Sequence, residues 1–393
     1  MHVDTSAHDD EHVGDQPRQR ALAAALDAAE LALANRFGSA ITLSKPEDLA
    51  GSGPAVVLRA TVASSPFSLP RTIVVKHYPE PDEYASDPFA AEAVSYQLFT
   101  ALTSEDRMCP ELLGHDVTHR VLVLSDLGNA PTLADKLRSA DARVAEGTLL
   151  SWARALGTMH ATTAHREADF NALLRRFGGQ PACEDTEAAD AAARLPGMLA
   201  DTLGVTTAEA VAERVRAASL RIDDGEYRAF SPVDLAPENN LVTSDGVRFL
   251  DFEHGRVRNA MIDVAHLRVP FAFWRGALGL PAGMSEAMIA AWRAEVTGIW
   301  PGLADDDVFT AALLDSHIAC VWTQTARELL RLADADTGPT SRAAALESWW
   351  RELASRAGQQ GDDAIAAHAA AVAEAIERRF GPGLDLALYP AFR

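Results

Sequence analysis

The chain has 393 residues, of which 48% are hydrophobic, and it carries a formal net charge of −21. This length allows two or three compact lobes with hydrophobic cores of their own. The negative charge disfavours nonspecific binding to nucleic acids or anionic membranes, because phosphate groups would be repelled. No window approaches a run of about 18 apolar residues, so no membrane span is predicted. The acidic excess is typical of a soluble protein, and a cleft for a cationic substrate is the alternative.

The N-terminal segment is polar and lacks the apolar run that a signal peptide needs. We therefore predict a mobile polar tail over residues 1–18. The cysteines Cys109, Cys183 and Cys320 show no metal-ligand spacing, which favours reduced thiols. Together these features predict a cytoplasmic protein.

Residues 19–124 have the pattern of a small β-rich lobe. The predicted elements are a helix over residues 21–35 and strands over residues 40–43, 56–62 and 72–75. A glycine turn, Gly51-Ser52-Gly53, separates the first two strands, and Lys76 ends the third. Between two strands, such a turn favours a hairpin whose backbone covers phosphate groups. A simple turn and a solvated lysine are the plainer interpretations.

Glu92 is the candidate ion-pair partner of Lys76. It lies near the start of a helix predicted over residues 89–102. A glutamate at that position is also stabilised by the helix dipole, so a purely structural role for Glu92 is the alternative. A buried strand over residues 121–124 then leads into Ser125-Asp126-Leu127, where backbone groups are expected to be available to a ligand.

Residues 125–393 are predicted to form a larger, helical lobe. His160, near the end of a helix, is expected to stabilise that helix terminus, and Trp322 is expected to pack in the core. The predicted helices span residues 148–163, 285–297, 306–333, 341–357 and 362–380, with a helical insertion over residues 165–226.

The stretch 230–263 carries the chemistry. Asp234 is followed five residues later by Asn239, and a short apolar run then ends on Asp251. Asp and Asn are common turn formers, which is the plain interpretation. In phosphoryl transfer, one carboxylate orients the acceptor hydroxyl, while an amide and a second carboxylate hold Mg²⁺ against the nucleotide phosphates.

Taken in order, these motifs resemble the aminoglycoside phosphotransferase and choline kinase group of small-molecule phosphotransferases. The resemblance spans residues 40–270 and rests on the glycine turn, the strand lysine, the helix glutamate, the Asp-x4-Asn loop and Asp-Phe-Glu. It implies an α+β, bilobal, protein-kinase-like fold with a small β-rich N-lobe and a large helical C-lobe.

The resemblance also implies a role for each matching residue. Asp234 is implied as the catalytic carboxylate, Asn239 and Asp251 as the Mg²⁺ ligands, and Asp263 as a structural brace of the catalytic loop. The residues implied to bind ATP or GTP are Lys76, Glu92, Gly51, Ser52, Gly53, Ser125 and Leu127. The sequence departs from the family at Pro232-Val233, where His-Gly is usual. Glu253, which follows Asp-Phe, resembles the choline kinase version of the motif.

We therefore expect an ATP-dependent O-phosphotransferase that acts on a hydroxyl of a small molecule. The acceptor classes left open are an antibiotic, an amino sugar, an amino alcohol and a nucleoside-like metabolite, so a resistance role and a biosynthetic or salvage role both stay open. The alternative is a catalytically impaired, nucleotide-binding pseudokinase with a regulatory role. A protein kinase is disfavoured because no Ala-Pro-Glu segment follows Asp251. No nucleic-acid, membrane or obligate protein partner is expected.

Overall fold

The computed structural model describes residues 15–393 except 52, 54, 81–86, 180–186, 224, 273–276 and 334–340. Ser52, Cys183 and most of the predicted tail therefore lie outside the described residues. The chain divides into two compact units. The sheet unit comprises residues up to 129 together with 173–179 and 252–254, and the helical unit comprises the rest. The predicted α+β class, with a small sheet-based part and a large helical part, is confirmed.

The elements of the sheet unit are α1 (Asp15–Phe37), β1 (Thr42–Asp48), β2 (Val56–Ser64), β3 (Thr72–His77), α2 (Pro88–Thr100), β4 (Leu112–Asp116) and β5 (Val121–Ser125). The five strands form one antiparallel sheet with the order β1-β2-β3-β5-β4. Helix α1 begins at Asp15, so residues 15–18 of the predicted mobile tail are helical. Pro17 is compatible with this start, because proline is tolerated in the first turn of a helix. Strand β1 begins two residues later than predicted and runs on to Asp48.

Strand β3 contributes side chains to both faces of the sheet. Ile73 and Val75 are fully buried and pack in the core that α1 covers. Since successive side chains of a strand point to opposite faces, Lys76 lies on the face away from α1. The alternation of the sequence Thr-Ile-Val-Val-Lys thus places an ammonium group on the face opposite the α1 core.

The helical unit contains ten α-helices and two antiparallel strand pairs among its described residues, counting α5, which ends in the sheet unit. The helices are α3 (Leu133–Arg138), α4 (Ala142–Thr163), α5 (Glu167–Arg176), α6 (Glu187–Leu203), α7 (Glu209–Asp223), α8 (Met261–His266), α9 (Met284–Val296), α10 (Asp306–Ala333), α11 (Ser341–Gln359) and α12 (Asp363–Phe380). Trp322 is buried on α10 against Trp350, with ring centroids 4.8 Å apart, so its predicted core position is confirmed. In the described part of the chain, no helix is long and apolar enough to cross a membrane.

Two antiparallel strand pairs of the helical unit hold the stretch that the sequence singled out. Strands β6 (Arg228–Ser231) and β9 (Arg256–Asn259) form one antiparallel pair. Strands β7 (Asn240–Thr243) and β8 (Gly246–Phe249) form the other. Residues 231–240, here named the Asp234 loop, connect β6 to β7. Both ends of this loop are therefore anchored in β-structure.

Candidate active site

A buried ion pair joins Lys76 and Glu92 in the sheet unit. The ammonium Nζ donates to Glu92 Oε1 at 2.7 Å, and the glutamate side chain is fully buried. The Tyr78 hydroxyl donates to the other oxygen, Oε2. Because α2 begins at Pro88, Glu92 lies beyond the first helical turn, so the dipole interpretation does not apply. The ion pair holds the Lys76 ammonium at the edge of a cluster whose other side chains, Glu92 and Tyr78, are buried.

Phe252 of the Asp-Phe-Glu motif belongs to the same cluster. Its backbone N–H donates to Glu92 Oε1 at 3.2 Å. Its ring is fully buried and packs against Tyr96 and Phe99, with centroids 5.1 and 5.5 Å away. Glu92 thus accepts hydrogen bonds from a lysine, a tyrosine and the motif backbone. The cluster fixes the position of Phe252, and Asp251 is the residue that precedes it in the chain.

The glycine turn and the β5 end also lie in the sheet unit. Gly51 and Gly53 follow β1 and precede β2, as predicted. A Cβ atom at Gly53 would lie 3.7 Å from Oε2 of Glu253, so the Glu253 carboxylate lies beside this turn. Ser125 ends β5, and its N–H donates to the Glu111 carbonyl at 2.9 Å. Leu127 follows in a loop that Asp126 stabilises by accepting from Gly128 N–H at 2.9 Å.

Asp234 and Asn239 are in direct contact in the helical unit. Asp234 is exposed; its Oδ1 accepts from the Ala236 N–H at 2.9 Å, and its Oδ2 accepts from Asn239 Nδ2 at 3.1 Å. The amide therefore turns its nitrogen to the carboxylate, which leaves its oxygen as the atom suited to a cation. The Asn239 carbonyl accepts from the Leu250 N–H at 2.8 Å. This backbone pair brings Asp251, the next residue, close to Asn239.

Val233 has an unusual backbone conformation at the start of the Asp234 loop. Its φ is +65°, a region that β-branched residues rarely adopt. The Asp234 N–H donates to the Pro232 carbonyl at 2.7 Å, which makes a three-residue γ-turn centred on Val233. Strain of this kind costs about 1–3 kcal/mol and is found preferentially at functional sites. Asp251 also has a positive φ, of +63°.

A buried polar network holds the Asp234 loop at its β6 end. The fully buried Asp263 accepts from the Ser231 hydroxyl at 3.0 Å through Oδ1, and from His160 Nε2 at 3.1 Å through Oδ2. Arg258 donates to both Asp263 and Ser231. Ser231 Oγ in turn accepts from the Val233 N–H at 3.0 Å. Asp263 thus braces the loop, in agreement with the structural role that the sequence resemblance implies.

The protonation states in this network follow from its partners. The Trp292 Nε1–H donates to His160 Nδ1 at 2.9 Å, so the ring proton of His160 lies on Nε2 and points to Asp263. Burial opposes ionisation of Asp263, but the Arg258 guanidinium and the bond from His160 outweigh it and hold the pKa of Asp263 well below its usual value. The prediction that His160 stabilises a helix terminus is wrong, because its ring is buried between these two partners.

A second brace, which the sequence interpretation missed, holds the other end of the loop. The buried Asn240 donates through Nδ2 to the Ala236 carbonyl at 2.6 Å, and its Oδ1 accepts from Trp152 Nε1 at 3.0 Å. Of the two neighbouring asparagines, Asn239 therefore bonds Asp234, and Asn240 bonds groups in the core. The sequence alone does not indicate that Asn240 has this structural role, because nothing in the pattern distinguishes it from its neighbour.

No protein-family model matches the chain, and no curated protein matches it significantly. Among solved structures, it is similar to choline kinase LicA from Streptococcus pneumoniae, with a TM-score of 0.47 and 15% identity over 88% of this chain and 99% of that one. It is similar to a choline kinase from Cryptosporidium parvum, with a TM-score of 0.47 and 11% identity over 82% of this chain and 91% of the other. The amicoumacin kinase hAmiN, solved with AMP-PNP and Ca²⁺, gives a TM-score of 0.41 and 11% identity over 88% and 93%. At such low identities, the assignment of a function rests on the side chains described above.

Proposed function

We propose that the chain is a small-molecule O-phosphotransferase of the aminoglycoside phosphotransferase and choline kinase type, with ATP or GTP as the phosphate donor. One observation carries the proposal: the buried Glu92 carboxylate holds both Lys76 and the backbone of the Asp-Phe-Glu motif. A purely structural ion pair would not need to contact the residue that follows a candidate metal ligand. The exposed Asp234, bonded to Asn239, supplies the second set of groups that phosphoryl transfer needs.

The proposed step forms one bond and breaks one. The acceptor oxygen attacks the γ-phosphorus, and the bond from that phosphorus to the β,γ-bridging oxygen breaks, so that the nucleoside diphosphate leaves with the electron pair. The acceptor hydroxyl proton passes to the Asp234 carboxylate, which orients the hydroxyl. Lys76 offsets negative charge on the nucleotide phosphates. The step needs no covalent intermediate on the protein.

The residues present fit Mg²⁺ as the accompanying cation. In the described residues, no group of three or more His, Cys, Asp or Glu side chains is arranged to hold a metal. Mg²⁺ is instead commonly bound by one or two carboxylates together with substrate phosphates and water. Asn239 and Asp251 would hold it, through an amide oxygen and a carboxylate. When bound, it neutralises phosphate charge.

A small cavity of the helical unit lies beside the Asp234 loop. Its volume is about 60 Å³, and its lining includes Val233, the neighbour of Asp234. One face of α10 forms its wall, from Ala319 to Arg327. Half of the lining residues are polar, namely Glu187, Arg258, His266, Thr323, Gln324 and Arg327. A cavity of this volume is below the size of ligand pockets, about 300–1,000 Å³, so it does not indicate which acceptor binds.

Glu92→Gln is expected to weaken the binding of Mg·nucleotide about tenfold or more, since the loss of one charged partner of a hydrogen-bonded pair typically costs 2–5 kcal/mol or more. The amide no longer balances the Lys76 charge, and it offers one acceptor oxygen where the carboxylate offers two. Isothermal titration calorimetry with a non-hydrolysable nucleotide measures the effect. Glu111→Gln, which alters a half-exposed glutamate of the same unit, is the control and should bind as the wild type does.

A phosphate-transfer screen tests the function itself. Aminoglycosides, choline-like alcohols, nucleoside antibiotics and sugars are incubated with Mg·ATP or Mg·GTP, and the products are read by mass spectrometry. We expect a phosphorylated product from at least one of these acceptors. Tight nucleotide binding without transfer to any acceptor would favour the pseudokinase alternative instead.

A further inference from the structure

Residues 125–128, here named the hinge segment, follow directly from β5 in the sheet unit. The N–H groups of Ser125 and Gly128 are both hydrogen-bonded, at 2.9 Å each. Among the residues that the structure describes, no partner is found for the N–H of the half-buried Leu127. Backbone N–H groups are obligatory donors, so this one is left for water or a ligand.

Arg59, on β2, holds the hinge segment. Its Nε and Nη2 donate to the two carboxylate oxygens of Asp126 at 2.8 and 3.3 Å, and Nη2 also donates to the Gly128 carbonyl at 3.3 Å. Asp126 in turn accepts from the Gly128 N–H. The ion pair is largely shielded from water, since 15% of the Arg59 side chain and 5% of the Asp126 side chain are exposed. One guanidinium group therefore fixes the residues on both sides of Leu127.

Both groups of this ion pair are charged near neutral pH. Burial opposes ionisation of Asp126, but the bonds from Arg59 and Thr72 outweigh it and lower the pKa of Asp126. The bond to Asp126 also raises the pKa of Arg59. The planar guanidinium bonds both carboxylate oxygens at once, a geometry that an ammonium group cannot reproduce. The position of the hinge segment therefore depends on an arginine at this place in β2.

Arg59 lies on the same face of the sheet as Lys76. Arg59 pairs with Val74 across β2 and β3, and Val74 lies two residues before Lys76. Paired residues of neighbouring strands share a face, and so do residues two apart in one strand. The guanidinium is therefore on the face that carries the ammonium group proposed to bind phosphates, and it reaches along that face to the segment after β5.

We propose that Arg59 is a positioning residue for the nucleotide base, which holds the hinge segment so that the Leu127 N–H stays available to the base. This inference rests on the proposed function, because it takes a nucleotide to be the ligand of the sheet unit. Purine bases carry ring nitrogens that accept hydrogen bonds. The phosphates are assigned to Lys76 and the glycine turn, so Arg59 should act on the base and not on the phosphates.

Two ligands separate the base from the phosphates. A non-hydrolysable ATP analogue carries a base, and inorganic tripolyphosphate carries the phosphates without a nucleoside; both are titrated with Mg²⁺ by calorimetry. Arg59→Ala should weaken binding of the nucleotide about tenfold or more, the usual result of losing a hydrogen bond to a charged group. Its affinity for tripolyphosphate should stay within about twofold of wild type. Arg71→Ala, which alters an exposed arginine of the same unit, is the control and should change neither affinity.

Arg59→Lys is the second variant, and it decides the question if Arg59→Ala does not fold. It keeps the positive charge beside Asp126, but an ammonium group lacks the planar fork that bonds the carboxylate and the Gly128 carbonyl together. Its nucleotide affinity should fall by a smaller factor than in the alanine variant, again with the tripolyphosphate affinity kept.

Amide hydrogen exchange tests the positioning step without any ligand. Exchange is read by mass spectrometry on peptides that cover residues 121–130. Both Arg59 variants should speed exchange of the Gly128 N–H, because Asp126 then loses the guanidinium that holds it, while peptides of α2 should exchange as in wild type. Unchanged exchange in the hinge segment would show that Arg59 does not hold it, and would overturn the inference.

The binding results separate failure of this inference from failure of the proposed function. A wild-type protein that binds neither the ATP analogue nor tripolyphosphate would contradict the proposed function, and with it the base site. If the wild type binds both ligands and the Arg59 variants weaken both by the same factor, the ion pair has a structural role alone. That outcome, or unchanged binding of both ligands by the variants, would overturn this inference and leave the proposed function standing.

Discussion

Asp234→Asn is expected to lower the turnover number by about 10²-fold to 10⁴-fold, the usual contribution of a positioned acid or base. The amide preserves the size of the side chain and can still accept from the Ala236 N–H, so the turn of the loop is retained. It cannot take a proton from an acceptor hydroxyl. Steady-state kinetics with the best acceptor of the screen measures the loss, and calorimetry should find the nucleotide affinity nearly unchanged.

Asp245→Asn is the matched control for this variant. Asp245 is an exposed aspartate in the turn between β7 and β8, and its Oδ1 accepts from the neighbouring Ser244 hydroxyl. The same chemical change there should leave the turnover number within about twofold of wild type, since surface substitutions of this kind have small effects. Near-normal turnover by Asp234→Asn would remove Asp234 from the proposed chemistry.

Asp263→Ala is expected to destabilise the fold by about 3–5 kcal/mol, because it removes the carboxylate from a buried ion pair with Arg258. Asp263 is fully buried, and it is bonded to His160, Ser231 and Arg258. Urea unfolding at neutral pH, followed by tryptophan fluorescence, measures the change. Asp201→Asn, at an exposed position of α6, is the control and should unfold as the wild type does.

The contribution of Asp263 should depend on pH in one direction. Its folded-state pKa is lowered, with Arg258 and His160 outweighing burial. It therefore stabilises the fold above the unfolded-state pKa of about 3.9, and this stabilisation is lost progressively as the pH falls below that value. The difference in unfolding free energy between wild type and Asp263→Asn should shrink from about pH 7 to about pH 3. A constant difference would contradict the charged state of Asp263.

Turnover by Asp263→Asn separates positioning from stability. At a temperature where the variant is folded, the loosened loop should reduce kcat while the nucleotide affinity is kept, because Asp263 reaches Asp234 only through Ser231 and the Val233 backbone. Unchanged kcat in the folded variant would limit Asp263 to a role in stability.

The sequence predicted those features of the candidate site that involve residues close together in the chain. The alternation of β3 places Lys76 on the face away from α1, and Glu92 lies on the next helix, so their pairing was a local inference that the structure bears out at 2.7 Å. Asp234 and Asn239 are likewise close in sequence, and their contact follows from a single loop. Asp251 comes two residues after the end of the β7–β8 hairpin, whose register is fixed by alternation.

The remaining features depend on contacts between residues that are distant in sequence. His160 and Asp263 are 103 positions apart, and nothing in either segment indicates that their side chains meet. The positive φ of Val233 was also not predicted, because propensity argues against it and only the surrounding hydrogen bonds impose it. The cavity combines residues from α6 to α10, which no local pattern connects.

The release of nucleoside diphosphate, measured with and without acceptor, tests the central claim most directly. For the wild type with Mg·ATP, we predict that at least one acceptor of the screen accelerates the release and appears as its phosphate ester in equal amount. Asp234→Asn should bind Mg·ATP and show no such acceleration. Release that is independent of every acceptor, and that persists in Asp234→Asn, would contradict phosphoryl transfer to a small molecule.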